Sequence, residues 1–149
     1  QATLGDWLWK FESIYRSTNE DDFLATQAGF EYTYVGIMSS SADLGLLMEH
    51  SWDSRGEADI DSPGANFQND LFVGARVAFN DMQSSEVLMG LGSDLEHNAF
   101  SYLIEASRRI GDNFKVNLDL RLLQSSEPSD QLYALRYDDH LQFSLEWYF

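Results

Sequence analysis

An all-β fold is predicted for this 149-residue chain: an antiparallel up-and-down transmembrane β-barrel of eight strands, with short turns at one end and longer loops at the other. Three observations predict it. Apolar and polar residues alternate with period two in eight stretches, the connections between them alternate in length, and aromatic residues gather at the strand ends. Period two places successive side chains on opposite faces of a strand. A tilted strand crosses a bilayer in about 9–11 residues, close to the length of each stretch.

The first strand runs from Trp7 to Arg16, with Trp7, Trp9, Phe11, Ser13 and Tyr15 opposing Leu8, Lys10, Glu12, Ile14 and Arg16. In the second, Ala28, Phe30, Tyr32, Tyr34 and Met38 oppose Gly29, Glu31, Thr33 and Val35. The third sets Leu44, Leu46 and Met48 against Gly45, Leu47, Glu49 and Ser51. Leu71, Val73, Ala75, Val77 and Phe79 form the apolar side of the fourth, and Val87, Met89, Leu91 and Leu95 that of the fifth. The sixth alternates from Phe100 to Ser107. The clearest stretch is the seventh, with Phe114, Val116, Leu118, Leu120 and Leu122 against Lys115, Asn117, Asp119 and Arg121. The eighth ends the chain, with Leu141, Phe143, Leu145, Trp147 and Phe149 on the apolar parity.

Connections after the second, fourth and sixth strands are short: Ser39 to Asp43, Asn80 to Ser85, and Gly111 to Asn113. Those after the third and seventh are long and polar, from Asp53 to Asn66 and from Gln124 to Asp139. Outer-membrane barrels have short periplasmic turns, longer outer loops and an even strand number. On that orientation Trp7, Trp9, Tyr32, Tyr34, Phe79, Phe114, Trp147 and Phe149 lie toward the periplasmic rim. Tyr15, Trp52, Phe67, Phe100 and Tyr102 lie toward the outer rim, giving two interfacial girdles. Arg108, the cation on the apolar parity, falls near the periplasmic end, where a long side chain can snorkel.

Composition narrows the function. A formal net charge of -16 repels polyphosphate, so no nucleic-acid partner is expected. The chain has no Cys, which removes disulfides, thiolate metal sites and thiol nucleophiles. Much of the excess acid, including Glu20, Asp21, Asp22, Asp53, Glu57, Asp59, Asp61, Glu127, Asp130, Asp138 and Asp139, is assigned to the outer rim as an acidic collar. The polar parity carries both signs: Lys10, Glu12, Arg16, Glu31, Glu49, Arg76, Glu86, Asp94, Glu105, Arg109, Lys115, Asp119, Arg121 and Glu146. In a closed eight-stranded barrel these charges pair across a filled lumen; in a wider one they line a channel that favours cations.

The closing segment Leu141-Gln142-Phe143-Ser144-Leu145-Glu146-Trp147-Tyr148-Phe149 resembles the last strand of Gram-negative outer-membrane proteins, with its final aromatic residue. The stretches Ala42–Leu47, Asn69–Arg76 and Leu132–Asp139 resemble the C-terminal part of longer, uncharacterised proteobacterial outer-membrane proteins. This resemblance implies residence in the cell outer membrane, contact with lipopolysaccharide, and recognition of the last strand by the barrel-assembly machinery. Those relatives carry additional strands ahead of the position matching Trp7. The chain is therefore read either as a self-contained small barrel or as the last strands of a larger one.

No enzyme, cofactor or metal site is expected. Tyr137-Asp138-Asp139-His140 is similar to the Asp/His chemistry of omptin proteases, but a second acidic pair is missing. His50 and Ser51 are similar to parts of outer-membrane lipid-modifying enzymes, yet adjacent strand residues point to opposite faces. Glu57, Asp59 and Asp61 lack the full spacing of a calcium loop. Acidic outer loops favour bridging by Mg²⁺ or Ca²⁺ to lipopolysaccharide phosphates. The main alternative is a soluble lipocalin-like barrel with its apolar face inward around a small apolar ligand. Gly5-Asp6-Trp7 matches the short lipocalin signature, but the end-placed aromatics and the asymmetry of the loops oppose that reading.

Overall fold

The computed structural model describes residues 1–17, 22–56, 68–128 and 131–149. The chain folds into one nine-stranded antiparallel sheet in which each strand pairs with the next in sequence. The strands are β1 (Ala2–Leu4), β2 (Trp7–Ser17), β3 (Asp22–Tyr34), β4 (Asp43–Asp53), β5 (Asn69–Ala78), β6 (Glu86–Asp94), β7 (Ala99–Ile110), β8 (Phe114–Ser125) and β9 (His140–Trp147). The eight long strands β2–β9 correspond to the eight read from the sequence, but β3 stops at Tyr34 and β6 at Asp94, so Val35 and Met38, expected in the second strand, fall in the β3–β4 turn, where Met38 takes positive φ, and Leu95, expected in the fifth, falls in the bend after β6. The short β1 is an addition, folded back on β2 through the Gly5-Asp6 turn, with Leu4 opposite Trp7 and Ala2 opposite Trp9.

The sheet is not closed: among the described residues β9 pairs only with β8, and beyond its short contact with β1 the outer edge of β2 has no strand partner. The expected eight-stranded barrel is thus present as an open up-and-down meander. Exposure records the two edges. Phe11 and Phe143, on the edge strands, are 66% and 67% exposed, against 38% for Met48 and 37% for Val73 in the middle of the sheet.

Register holds the predicted faces together across the whole sheet. Trp9, Phe30, Met48, Val73 and Leu91 form one continuous row through strand pairing, and Ala106, Leu118 and Phe143 another. The opposite face carries the charges. Among the described residues the only buried hydrophobics are Ala42 and Ala99, and no large side chain is fully buried. This is a wall with two faces and no enclosed apolar core.

The short-turn end is stapled by side chains. Gly36, Met38 and Ser39 take positive φ in the β3–β4 turn, and the Gly36 N–H donates to Asp43 Oδ1 at 2.9 Å. Asn80 Nδ2 donates to Asp43 Oδ2 and to the Ser41 carbonyl, both at 2.8 Å, tying the β5–β6 turn to its neighbour. Asn113 Nδ2 donates to the Tyr148 carbonyl at 2.8 Å, which fixes the end of the chain. At the other end the β8–β9 connection, expected as a polar loop, contains a helical turn, α1 (Gln131–Leu135). No helix among the described residues is long and apolar enough to cross a membrane.

Candidate functional site

The polar face is the candidate site because register gathers the charges of the long strands on it. Lys10 on β2 and Glu49 on β4 are separated by a strand, yet Lys10 Nζ lies 3.1 Å from Glu49 Oε1. Between them is Gly29, in register with both. A Cβ on Gly29 would stand 2.7 Å from Glu49 Cγ, so only glycine lets the two side chains meet over β3. Lys10 also pairs with Glu31, and Gln27 Nε2 donates to Glu49 Oε2 at 3.2 Å.

The strand glycines Gly29, Gly45, Gly74, Gly90 and Gly92 all share this face by register. Small residues on one face and bulky ones on the other allow a sheet to bend toward the small side. Phe72 lies over three of them: a Cβ at Gly90 would be 2.6 Å from Phe72 Cζ, and one at Gly74 3.2 Å from Cε1, while Phe72 Cδ2 is 4.0 Å from a Cβ at Gly92. That glycine pattern is a sequence signal that alternation lacks, because it distinguishes the two faces by bulk as well as by charge.

All fourteen predicted lumen residues lie on this face by strand register or at its ends, and the structure brings most of them into contact. Arg76 meets Glu86 at 2.6 Å. Arg121 reaches Asp119 at 3.2 Å and Glu105 at 3.5 Å, and His140 Nε2 lies 3.2 Å from Asp119 Oδ1. Glu146 accepts from Asn117 Nδ2 at 2.6 Å and contacts the Tyr148 hydroxyl, with Lys115 opposite it in register. Arg109 stacks on the Tyr148 ring at 5.7 Å. Asp94 accepts from Gln68 Nε2 at 2.9 Å and from the Glu96 and His97 N–H groups, with His97 Nδ1 at 3.2 Å. Glu12 and Arg16, on the unpaired edge of β2, make no ion pair among the described residues.

Aromatic contacts are dense at the short-turn end. Trp7 stacks on Trp9 at 5.7 Å and tilts against Tyr32 at 4.6 Å, Tyr32 meets Tyr34 at 4.3 Å, and Trp147 meets Phe149 at 5.6 Å. At the loop end Tyr15, Trp52, Phe100 and Tyr102 sit on the same apolar face, and the Tyr15 hydroxyl donates to Asp22 Oδ2 at 3.0 Å. Phe67 lies outside the described residues. Arg108 reaches from the apolar face to Asp81 in the β5–β6 turn at 3.7 Å.

Asp81 and Arg55, both outside the strands, are shifted. Asp81 is held below the usual carboxylate range, first by the Ser85 N–H at 2.7 Å and then by the Ser85 hydroxyl and Arg108. Arg55 is raised by the Asp53 carboxylate, which it meets at 2.6 Å, and its guanidinium covers the Phe23 ring at 3.9 Å.

No catalytic constellation forms from the sequence candidates. His50 bonds Asn69 Oδ1 at 2.9 Å while Ser51 faces the other way, opposite Asp70. His140 turns to Asp119, and Asp139 instead accepts the Leu123 N–H at 2.7 Å. Sequence reasoning missed the Asp94–His97 pair, which depends on the bend after β6. No group of three or more described His, Asp or Glu residues could hold a metal ion. Glu57, Asp59 and Asp61, like Glu20, Asp21 and Asp130 of the acidic collar, fall outside the described residues. No protein-family model, curated protein or solved structure matches the chain.

Proposed function

We propose that the chain forms the wall of an integral outer-membrane β-barrel, apolar face to lipid and charged face to the lumen. It acts as a structural or surface-recognition barrel or as a small-solute porin. The observation that carries this reading is an apolar face continuous across eight long strands, with Trp, Phe, Met and Leu side chains exposed and nothing among the described residues packed on it. Water would make so large a surface costly, at about 25 cal/mol per Å² of apolar area, whereas lipid supplies the missing cover. A lipocalin-like carrier would need these side chains turned inward around a ligand, whereas the strand glycines, which favour bending toward the face they occupy, share the charged face.

Strand parity bears on closure. β1 and β9 run in the same direction, so joining them would make a parallel pair in a sheet whose other pairs are all antiparallel. Bacterial outer-membrane barrels use even strand numbers. Closure therefore requires β9 to displace β1 from the edge of β2, giving eight strands, or an odd number of further strands between β9 and β1. Side chains fill the lumen in the first case, and a wider lumen conducts in the second.

Single-channel conductance of the full-length gene product in a planar bilayer decides between them. A steady cation-favouring current is expected of the wider barrel and none of the eight-stranded one. Heat-modifiable migration on a gel is expected in both cases. A protein that stays soluble and monomeric without detergent refutes the membrane reading. Lipopolysaccharide bridged to the acidic loops by divalent cations, and the assembly machinery at the last strand, are the partners this reading implies.

A further inference from the structure

The apolar face is indented over β3. Strand pairing sets Phe11, Ala28 and His50 in one row, and Trp9, Phe30 and Met48 in the next row toward the short-turn end. Ala28 is the small member of these six, and the larger five surround it in a hollow of about 670 Å³. The lining is mostly apolar, and His50 stands on its loop-end side. The size falls within the range of small-molecule sites, which combine apolar walls with a few placed polar groups.

His50 is held in one tautomer from behind. Asn69 Nδ2 donates to Glu96 Oε1 at 3.2 Å. An ionised carboxylate only accepts, so the other end of the amide, Asn69 Oδ1, is the one turned to His50 Nε2 at 2.9 Å. The neutral ring therefore carries its proton on Nε2, and Nδ1 is left as an acceptor with no hydrogen-bond partner among the described residues. Ionisable side chains that face lipid are rare and costly, and they mark functional positions. Trp52 lies one row nearer the loop end, which puts His50 just beneath headgroup depth if the face spans a bilayer.

We propose that this hollow binds a neutral single-chain amphiphile with a hydroxyl at its polar end, the hydroxyl donating to His50 Nδ1 and the acyl chain lying over Ala28 toward Trp9 and Phe30. A hydroxyl is favoured over a carboxylate or phosphate because Nδ1 accepts and an anion has no proton to give. The net charge of -16 also disfavours an anionic ligand. The inference rests on the reading in which the apolar face meets lipid, since lipid is the source of such a molecule; it stands apart from whether the barrel conducts.

The test is photolabelling of the protein in phosphatidylcholine vesicles, in mildly alkaline buffer where imidazole is neutral. Three trace probes share one diazirine-bearing acyl chain: a monoacylglycerol, its dimethyl ether and the free fatty-acid anion. Labelling of β2–β4 by the monoacylglycerol should saturate, and labelling by the ether and the anion, which offer no donor, should be about tenfold weaker. His50→Leu should lower monoacylglycerol labelling to the level of the ether. Ala28 is exposed, so Ala28→Phe fills the hollow in a protein that still shows heat-modifiable migration, and it should abolish saturable labelling. Flotation with the vesicles is read on the same samples. A protein that does not float refutes the membrane reading and this site with it. A protein that floats but is labelled without saturation, equally by monoacylglycerol and ether, or undiminished in either variant overturns the site alone.

Discussion

Lys10 and Glu49 form an ion pair across an intervening strand, and Gly29 beneath them is what makes the span possible. A methyl group at position 29 would meet the Met48 carbonyl oxygen at 2.5 Å as well as Glu49 Cγ. The carbonyl belongs to the β3–β4 ladder and cannot swing aside. Gly29→Ala is therefore expected to cost about 1–3 kcal/mol, the range for forcing extra volume into a packed site. The measurement is the temperature at which folded migration on a gel is lost. Gly45→Ala, whose nearest neighbour lies at 3.8 Å, should change little and serves as the control.

Phe72 and Gly90 form the second tight contact of the polar face, at 2.6 Å for an added Cβ. Gly90→Ala should destabilise the wild type and do so less in a Phe72→Leu background, because the smaller side chain vacates the ring position. A double-mutant cycle on the same gel transition reads the coupling, expected between about 0.5 and 3 kcal/mol. Additive effects would mean that the ring does not rest on the glycine.

These two contacts mark where sequence reading stopped. The eight long strands were legible because alternation is written into each of them and confers two chemically distinct faces, most plainly in Phe114–Leu122. β1 was not, because three residues carry too little periodicity to register; its pairing comes from the Gly5-Asp6 turn and the β2 edge. β3 begins at Asp22, earlier than the apolar run, because pairing with β2 extends a segment whose own contrast between faces is weak. The site was legible as a set of charges but not as contacts. Which cation meets which acid depends on strand register, as when Arg121 spans Glu105 and Asp119 while His140 closes on Asp119. The helical turn α1 spans five residues, so its single i, i+3 pair, Leu132 and Leu135, is too short to register as a helical period within the connection.

Tryptophan placement gives a direct test of orientation in a bilayer. Trp7, Trp9 and Trp147 gather at the short-turn end, whereas Trp52 stands near the loop end of β4. Both positions fall at headgroup depth if the apolar belt spans the hydrocarbon. Fluorescence of the reconstituted protein should be quenched more by lipids brominated near the headgroup than by lipids brominated near the chain terminus. In Trp52→Phe the remaining signal reports the short-turn end alone and should keep that preference. Stronger quenching by the deep bromines, or none by either, would contradict a spanning sheet.

The β5–β6 turn should be acid-sensitive, and its sign follows from Asp81. The Ser85 N–H and hydroxyl and the Arg108 guanidinium all favour the ionised carboxylate, so its folded pKa lies below the unfolded one. The stabilisation is then complete above the usual carboxylate range and is lost as pH falls through the folded value. Hydrogen exchange of the Ser85 amide is the local readout. Its protection relative to that of strand amides should be constant at neutral pH and decline in acid, after allowance for the intrinsic pH dependence of exchange. Asp81→Asn keeps the shape but removes the charge. It should lower Ser85 protection at neutral pH and flatten the acid-dependent decline, and an unchanged decline in that variant would assign the acid response to another group.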